Sequence, residues 1–221
     1  MSRQPPPKLD GSGLEGSGLD RDGLRRAQAA GERLDVLGRA LGAGPVDLLT
    51  GSCREVEALR HYPAGDVYDM GSHAQFYYHS HRDVEFGHIH LFQRPRGMPA
   101  GIAPAEPGRD GDAPCHLIAV GFGPRGEVTE LFTTNRWVTG EAWYTARSVK
   151  GLVAALRLNI AGPYGPVAAW LAALVEFYRP LIERLVDERD QAIADWRAGH
   201  GGRDALADER LEITSIRAVN P

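Results

Sequence analysis

YYHSHRDVEFGHIHLF, residues 77–92, is the stretch that decides the middle of this chain. It holds four of the eight histidines, as two His-x-His pairs: His79 with His81, and His88 with His90. Residues two apart on an extended strand point to the same face, so each pair presents two imidazoles side by side. Six residues, 82–87, separate the pairs. An antiparallel hairpin closing around them sets His81 opposite His88 and His79 opposite His90, with all four rings on one face. A slip of one residue would send His88 and His90 to the other face. Neutral imidazole is the commonest metal ligand, and three or four nitrogens at this spacing suit Zn or Fe first, with Cu and Ni also compatible. The leading expectation is therefore a divalent transition-metal site on His79, His81, His88 and His90. The alternative is a set of half-buried histidines hydrogen-bonded to their neighbours.

Around this stretch, the segment from residue 61 to 146 reads as β structure. QFYYHSH, EFGHIHLF, HLIAVGFG, EVTELFTTN and EAWYTA are short runs rich in aromatic and β-branched residues, punctuated by Gly, Pro and Asp. GPRG at 123–126 is a hairpin turn, and 94–114 is a long Pro/Gly loop of the kind that forms lids or binding loops. Before this core, residues 20–42 carry Leu24, Ala27, Leu34, Leu37 and Leu41 at helical spacing, and a short helix follows near 46–49. After it, SVKGLVAALRLNIAG is one helix, and a longer helical pattern from Pro166 is bent or split by Pro180. The expected fold class is α+β: a central antiparallel sheet or small barrel flanked by one N-terminal helix and C-terminal helices. Residues 1–19, rich in Pro, Gly and Ser, read as a flexible tail; 20–198 as one domain; 199–221 as a loosely ordered tail.

Composition narrows the function. The chain has 221 residues, a net charge of −4, 43% hydrophobic and 24% charged residues, with a pI near 6.1. That balance is ordinary for a soluble globular protein and leaves no basic footprint for nucleic acid. No apolar run approaches the ~20 residues of a membrane span, and MSRQPPPKLDGSG has no hydrophobic core of a secretory signal. Two cysteines, Cys53 and Cys115, imply no disulfide framework. The expected setting is cytoplasmic, with a small-molecule substrate or ligand as partner; a homodimer is left open.

Beside the four histidines, Glu85 has two chemical roles available: a ligand, giving a two-His-one-carboxylate set, or a base outside the ligand shell. Its bland reading is a solvated turn residue. Arg136 is a candidate for holding a substrate carboxylate or phosphate, because guanidinium binds such groups bidentately; Arg82 is a weaker one. His61, Asp66 and Asp69 could orient ring nitrogens or complete the site, His116 is an extra candidate ligand, and Cys115 reads as a small buried apolar residue. His73 and His200 read as incidental.

Two resemblances attach to these residues. The run His79-x-His81-x-x-x-Glu85 resembles the core of the first cupin motif, which implies two His and a Glu around a catalytic metal in a small β-barrel; the flanking glycines are misplaced, and no second motif with a later His is visible. More extensively, HYPAGDVYD, QFYYHSHR, EFGHIHLF, GMPAG, HLIAV and LFTTNRWVTGEAWY together resemble a bacterial family described only as a domain of unknown function. The likeness runs from about Leu24 to Trp196 and implies a shared fold and a shared site. It departs at Phe86, where the family pattern has His before the Gly, so no ligand role is implied there. The resemblance carries no activity. Three functions stay open: a mononuclear metalloenzyme, a non-catalytic metal carrier, sensor or storage protein, and a metal-free domain binding a small acid through Arg136.

Overall fold

A computed structural model describes residues 21–42, 44–51, 56–81, 86–201 and 204–219. Its frame is one antiparallel sheet of six strands: β1 (Tyr62–Tyr68), β2 (Ala74–His79), β3 (His88–Gln93), β4 (Cys115–Phe122), β5 (Val128–Thr134) and β6 (Ile213–Ala218). Spatial order follows chain order, and the sheet is open, so the barrel alternative is set aside. The first five strands are a meander. The turn between β4 and β5 falls at the expected GPRG, where Gly126 takes φ +75°, a left-handed value that glycine adopts without steric cost.

The helices are α1 (Arg21–Ala40), α2 (Pro45–Thr50), α3 (Arg136–Thr139), α4 (Ala146–Ala155), α5 (Gly165–Phe177) and α6 (Arg179–Gly199). The stripe Ala30, Leu34 and Leu41 shares one core with the apolar α5, whose Val167, Ala168, Leu171, Ala173 and Leu174 are all buried. The long C-terminal pattern breaks beside Pro180, which lacks an N–H and sits in the first turn of α6, where none is needed. Phe76, Tyr78, Ile89, Leu91, Ile118, Val120 and Leu131 join the same core from one face of the sheet. Each such side chain contributes about 1.5–3 kcal/mol on leaving water. Among the described residues, no helix is long and apolar enough to cross a membrane.

Two expectations about element boundaries are corrected. EAWYTA is not a strand: Trp143 makes an isolated bridge to Glu106, and α4 begins at Ala146 under a Thr145 cap. The segment after residue 199 is not merely a loose tail, because β6 pairs along β5 from Glu130↔Ala218 to Thr134↔Ile213. It is held by hydroxyls: Thr133 Oγ1 lies 2.7 Å from both Thr214 Oγ1 and Ser215 Oγ. The buried Asn135 locks the preceding segment, its amide donating to the Ala205 carbonyl at 2.8 Å and the Leu211 carbonyl at 3.0 Å.

Candidate metal centre

The face of the sheet opposite the helix-packed core belongs to the histidines. The observed register pairs His79 with His88 and Tyr77 with His90. That differs by two residues from the expected hairpin, and the reason lies in backbone hydrogen bonds. The Ser80 carbonyl accepts from Leu59 N, while Phe86 N donates to the Phe122 carbonyl and the Gly87 carbonyl accepts from Phe122 N. Those groups serve the neighbouring segments and cannot extend the β2–β3 ladder, so β2 stops at His79. Gly87 has φ +98°, and a Cβ there would overlap the Tyr78 ring end and approach the His79 carbonyl to 2.7 Å. The Tyr78 hydroxyl donates to the Phe86 carbonyl across this crossing. Since side chains alternate with period two, a shift of two leaves His79, His88 and His90 on one face.

His116 joins them through a β-bulge. Leu91 pairs with Ile118, but Phe92 pairs with His116, so Leu117 is the extra residue on β4. In regular pairing, with Leu117 opposite Phe92, His116 would oppose Gln93 and lie on the helix-packed face. The bulge turns it back onto the histidine face, a use of bulges that recurs beside functional sites.

The imidazoles form a row. His79 Nε2 and His88 Nε2 are 2.7 Å apart, His88 Nε2 and His90 Nε2 2.9 Å, and His90 Nδ1 and His116 Nε2 3.0 Å. His81, half-buried, lies at the outer end with its ring 4.9 Å from that of His79 and 5.2 Å from that of His88. One nitrogen from each of His79, His81 and His88 falls within 4.8 Å of the others. Aromatic rings wrap the row: Tyr77 meets His79 and His90, Phe92 meets His90 and His116, and Phe132 meets His88. Burial therefore holds His79, His90 and His116 neutral. His79 is pushed down to about 3 by loss of water and then by His88, His81 and His61. His116 is also pushed down to about 3, by burial and the Arg189 charge, and His90 lies well below the usual range. Neutral rings keep lone pairs available for a metal.

This geometry fits a cation better than it fits hydrogen bonds alone. A ring nitrogen has one in-plane direction for a proton or a lone pair. His88 Nε2 faces two other Nε2 atoms at contact distance, so at most one of those contacts is a good hydrogen bond. A tetrahedral ion with nitrogen bonds of ~2.0–2.1 Å sets its ligands about 3.3 Å apart, a small opening of the observed spacing.

His61 and Asp66 stand at the outer side. His61 Nδ1 is 3.0 Å from Asp66 Oδ1, and its ring stacks on Tyr77 at 3.6 Å. Asp66 sits at φ +60° inside a register shift of β1. Asp69 serves the scaffold. Its carboxylate accepts from the Gly71, Ser72 and Asn159 amides and ties the β1–β2 turn to the chain after α4. His73 bonds the Tyr68 hydroxyl, and His200 stacks on Trp196. Cys115 is a buried free thiol, as expected. Glu85, Arg82 and Cys53 lie outside the described residues. Arg136 is engaged elsewhere, its guanidinium pairing with Asp204 at 3.2 Å.

Two residues at the inner end escape sequence reasoning. Glu141 is buried, with Oε2 accepting from His116 N at 2.6 Å. Burial pushes its carboxyl up to about 7 against the pull of Arg189. Arg189, also buried, lies over the Trp143 ring at 4.0 Å and donates to the Tyr144 carbonyl and Asp190. One signal was present: Ile182, Leu185, Val186, Arg189 and Ile193 form a helical stripe in which the arginine is out of place.

These features describe an α+β protein with an open antiparallel sheet and a buried histidine cluster able to bind a metal. The chain belongs to the family described as a domain of unknown function, DUF6969, whose model matches residues 27–219. No curated protein and no solved structure matches it.

Proposed function

We propose that this protein binds one divalent transition metal, iron or zinc before copper or nickel, through three or four of His79, His81, His88 and His90, and that it is a metalloenzyme acting on a small polar molecule. The convergence of three Nε2 atoms at 2.7 and 2.9 Å carries the reading. All-nitrogen donors suit these metals and disfavour Mg or Ca. Bound there, such an ion supplies a Lewis acid or a redox centre. The chain's own residues then orient and exclude water: Tyr77, Phe92 and Phe132 keep the inner side dry, while His61, fixed by Asp66, is the candidate to meet a substrate at the outer side.

The test is anaerobic purification followed by elemental analysis. The expected result is one equivalent of metal, lost in His79→Ala and His88→Ala. Sub-stoichiometric metal in wild type, even after reconstitution, would sink the reading. Cobalt substitution then decides between enzyme and carrier: azide should shift the cobalt spectrum if a position is open to substrate. Near-complete burial of His88 and His90 favours a second reading, a closed four-histidine carrier or sensor site, in which azide changes nothing. The acid-binding alternative has less support, since Arg136 is already paired with Asp204.

A further inference from the structure

At the other end of β2 and β3, about 17 Å along the strands from the His79–His88 pair, Ala74 pairs with Gln93. Gln93 is an odd number of residues from His88 and His90, so it faces the helices and not the histidines. Beside it an open cavity of about 490 Å³ is lined by three segments far apart in sequence. The β1–β2 turn brings Ser72 and His73, the turn after β3 brings Arg96 and Gly97, and the chain after α4 brings Arg157 and Asn159. That volume is in the range of small-molecule sites.

The three segments are fastened to one another beneath the cavity. Ser72 Oγ donates to the Arg157 carbonyl at 2.7 Å, Gln93 Nε2 to the Ser72 carbonyl at 2.8 Å, and the Asn159 amide to Asp69 Oδ2 at 2.7 Å. Gly97 crosses so closely that a Cβ there would lie 1.9 Å from the Ser72 carbonyl oxygen. His73 is held at φ +59°, a left-handed value that costs energy in a residue with a Cβ. Its Nδ1 lies 2.7 Å from the Tyr68 hydroxyl. Walls pinned before a ligand arrives lose little on binding it.

The charge on the lining has one sign. Arg96 and Arg157 supply two guanidinium groups, and among the described residues no Asp or Glu lines the cavity and neither arginine is ion-paired. Arg157 uses only Nη1 within the chain, on the Ala155 and Leu156 carbonyls at 3.3 and 2.7 Å, which leaves Nε and Nη2 as donors. Asp69 lies behind the turn, 3% exposed, its oxygens taken by the Gly71, Ser72 and Asn159 amides. Two cations beside hydroxyl, amide and imidazole groups on one concave wall focus a positive field there, in a chain whose net charge is −4.

We infer that this cavity is a second site, separate from the histidine row and from Arg136, that binds a small organic molecule carrying a phosphate or paired carboxylates through Arg96 and Arg157. The guanidinium fork matches both groups bidentately. The volume leaves room for an organic body beside the anionic group. Nothing in this inference rests on the metal reading above.

Proton–nitrogen spectra of the nitrogen-labelled full chain, titrated with glycerol phosphate in one arm and succinate in the other, test it. At least one probe should bind with a Kd below about 1 mM. It should shift the amides of 71–73, 93–98 and 156–159 and leave those of His79 and His88 unmoved; the tighter probe tells which anion the site takes. Arg96→Gln and Arg157→Gln should each weaken that binding about 10–100-fold, the loss of a charged hydrogen bond. Both residues are exposed, so the variants should unfold at the wild-type temperature. Arg33→Gln, which removes the same charge from the exposed side of α1, should bind as wild type does. A Kd above about 1 mM for both probes overturns the proposal. So does wild-type affinity in either cavity variant, an equal loss in the Arg33 variant, or shifts centred on the histidines. A chain that takes up no metal sinks the metal reading and leaves every one of these outcomes in force.

Discussion

Glu141→Gln should change how the stability of the metal-free protein depends on pH. The carboxyl is 1% exposed, and burial moves it from an ordinary 4.5 up to about 7. A raised carboxyl means that the folded state holds the proton more tightly than the unfolded chain does. Its contribution is therefore neutral below about pH 4.5 and becomes a growing penalty as pH rises, levelling off above about pH 7. The full penalty is about 3 kcal/mol, at 1.36 kcal/mol per pH unit. Between about pH 5.5 and about pH 8 it grows by about 2 kcal/mol. Glutamine cannot ionise, and its side-chain oxygen can still accept from His116 N. Any fixed cost of a poorly partnered amide is the same at every pH and drops out of the comparison. Urea unfolding of both proteins across that range, in the presence of a chelator, measures the effect. The variant should gain about 2 kcal/mol on wild type from the acid end to the alkaline end. A difference that stays flat to within about 0.5 kcal/mol would show that Glu141 ionises at its ordinary pH and that the buried end of the site is wetter than the structure shows.

Gly87→Ala should destabilise by about 2–4 kcal/mol, because the left-handed backbone and the overlap with Tyr78 add; thermal unfolding checks it, and a loss under about 1 kcal/mol would refute the close crossing of β2 and β3. Asn135→Ala strips donors from two carbonyls and should cost about 2–4 kcal/mol, with faster amide exchange across β6 than across β3; uniform exchange would show that Asn135 does not pin the last strand. On the acid side, His79 and His116 lie near 3 in the fold but near 6.5 when unfolded. Their stabilising effect is complete above about pH 6.5 and is lost as pH falls toward about 3. Metal-free wild type should therefore weaken steadily from about pH 6 to about pH 4, and a replacement of His79 by Phe should flatten that slope.

Much of this was legible because it is local. The face shared by His79, His88 and His90 follows from counting in twos, the β4–β5 turn from GPRG, and the split between α5 and α6 from Pro180. What was hidden depends on partners far along the chain. The strand β6 escaped notice because Thr214 and Ser215, the residues buried in it, are polar, and their role becomes visible only once Thr133, some eighty positions earlier, offers its hydroxyl. His116 reads from the sequence only as an extra candidate, because a bulge leaves no signature in HLIAV. Glu141 and Arg189 sit in aromatic and apolar surroundings that reward neither charge; the two are intelligible only when Glu141 is seen to meet the start of β4 and Arg189, on α6, to reach the segment before α4.

Expecting His81 opposite His88 and finding His79 there moves every contact by two positions, yet the histidine face survives, because only an odd slip exchanges faces. What changes is symmetry. In the expected hairpin the four rings make a square with two equivalent ends. In the observed one, His81 falls beyond the end of β2 to the outer rim, His79 takes its place against His88, Tyr77 takes that of His79 against His90, and the row continues inward to His116 instead. The site thus acquires an outside, with His81 and His61, and an inside, with His116 and Glu141. A symmetric square could store an ion but would present it equally in all directions. A row with one dry, hydrogen-bonded end and one end toward solvent gives an ion a single side from which anything can approach, and that asymmetry is the physical basis for reading the cluster as a centre for chemistry.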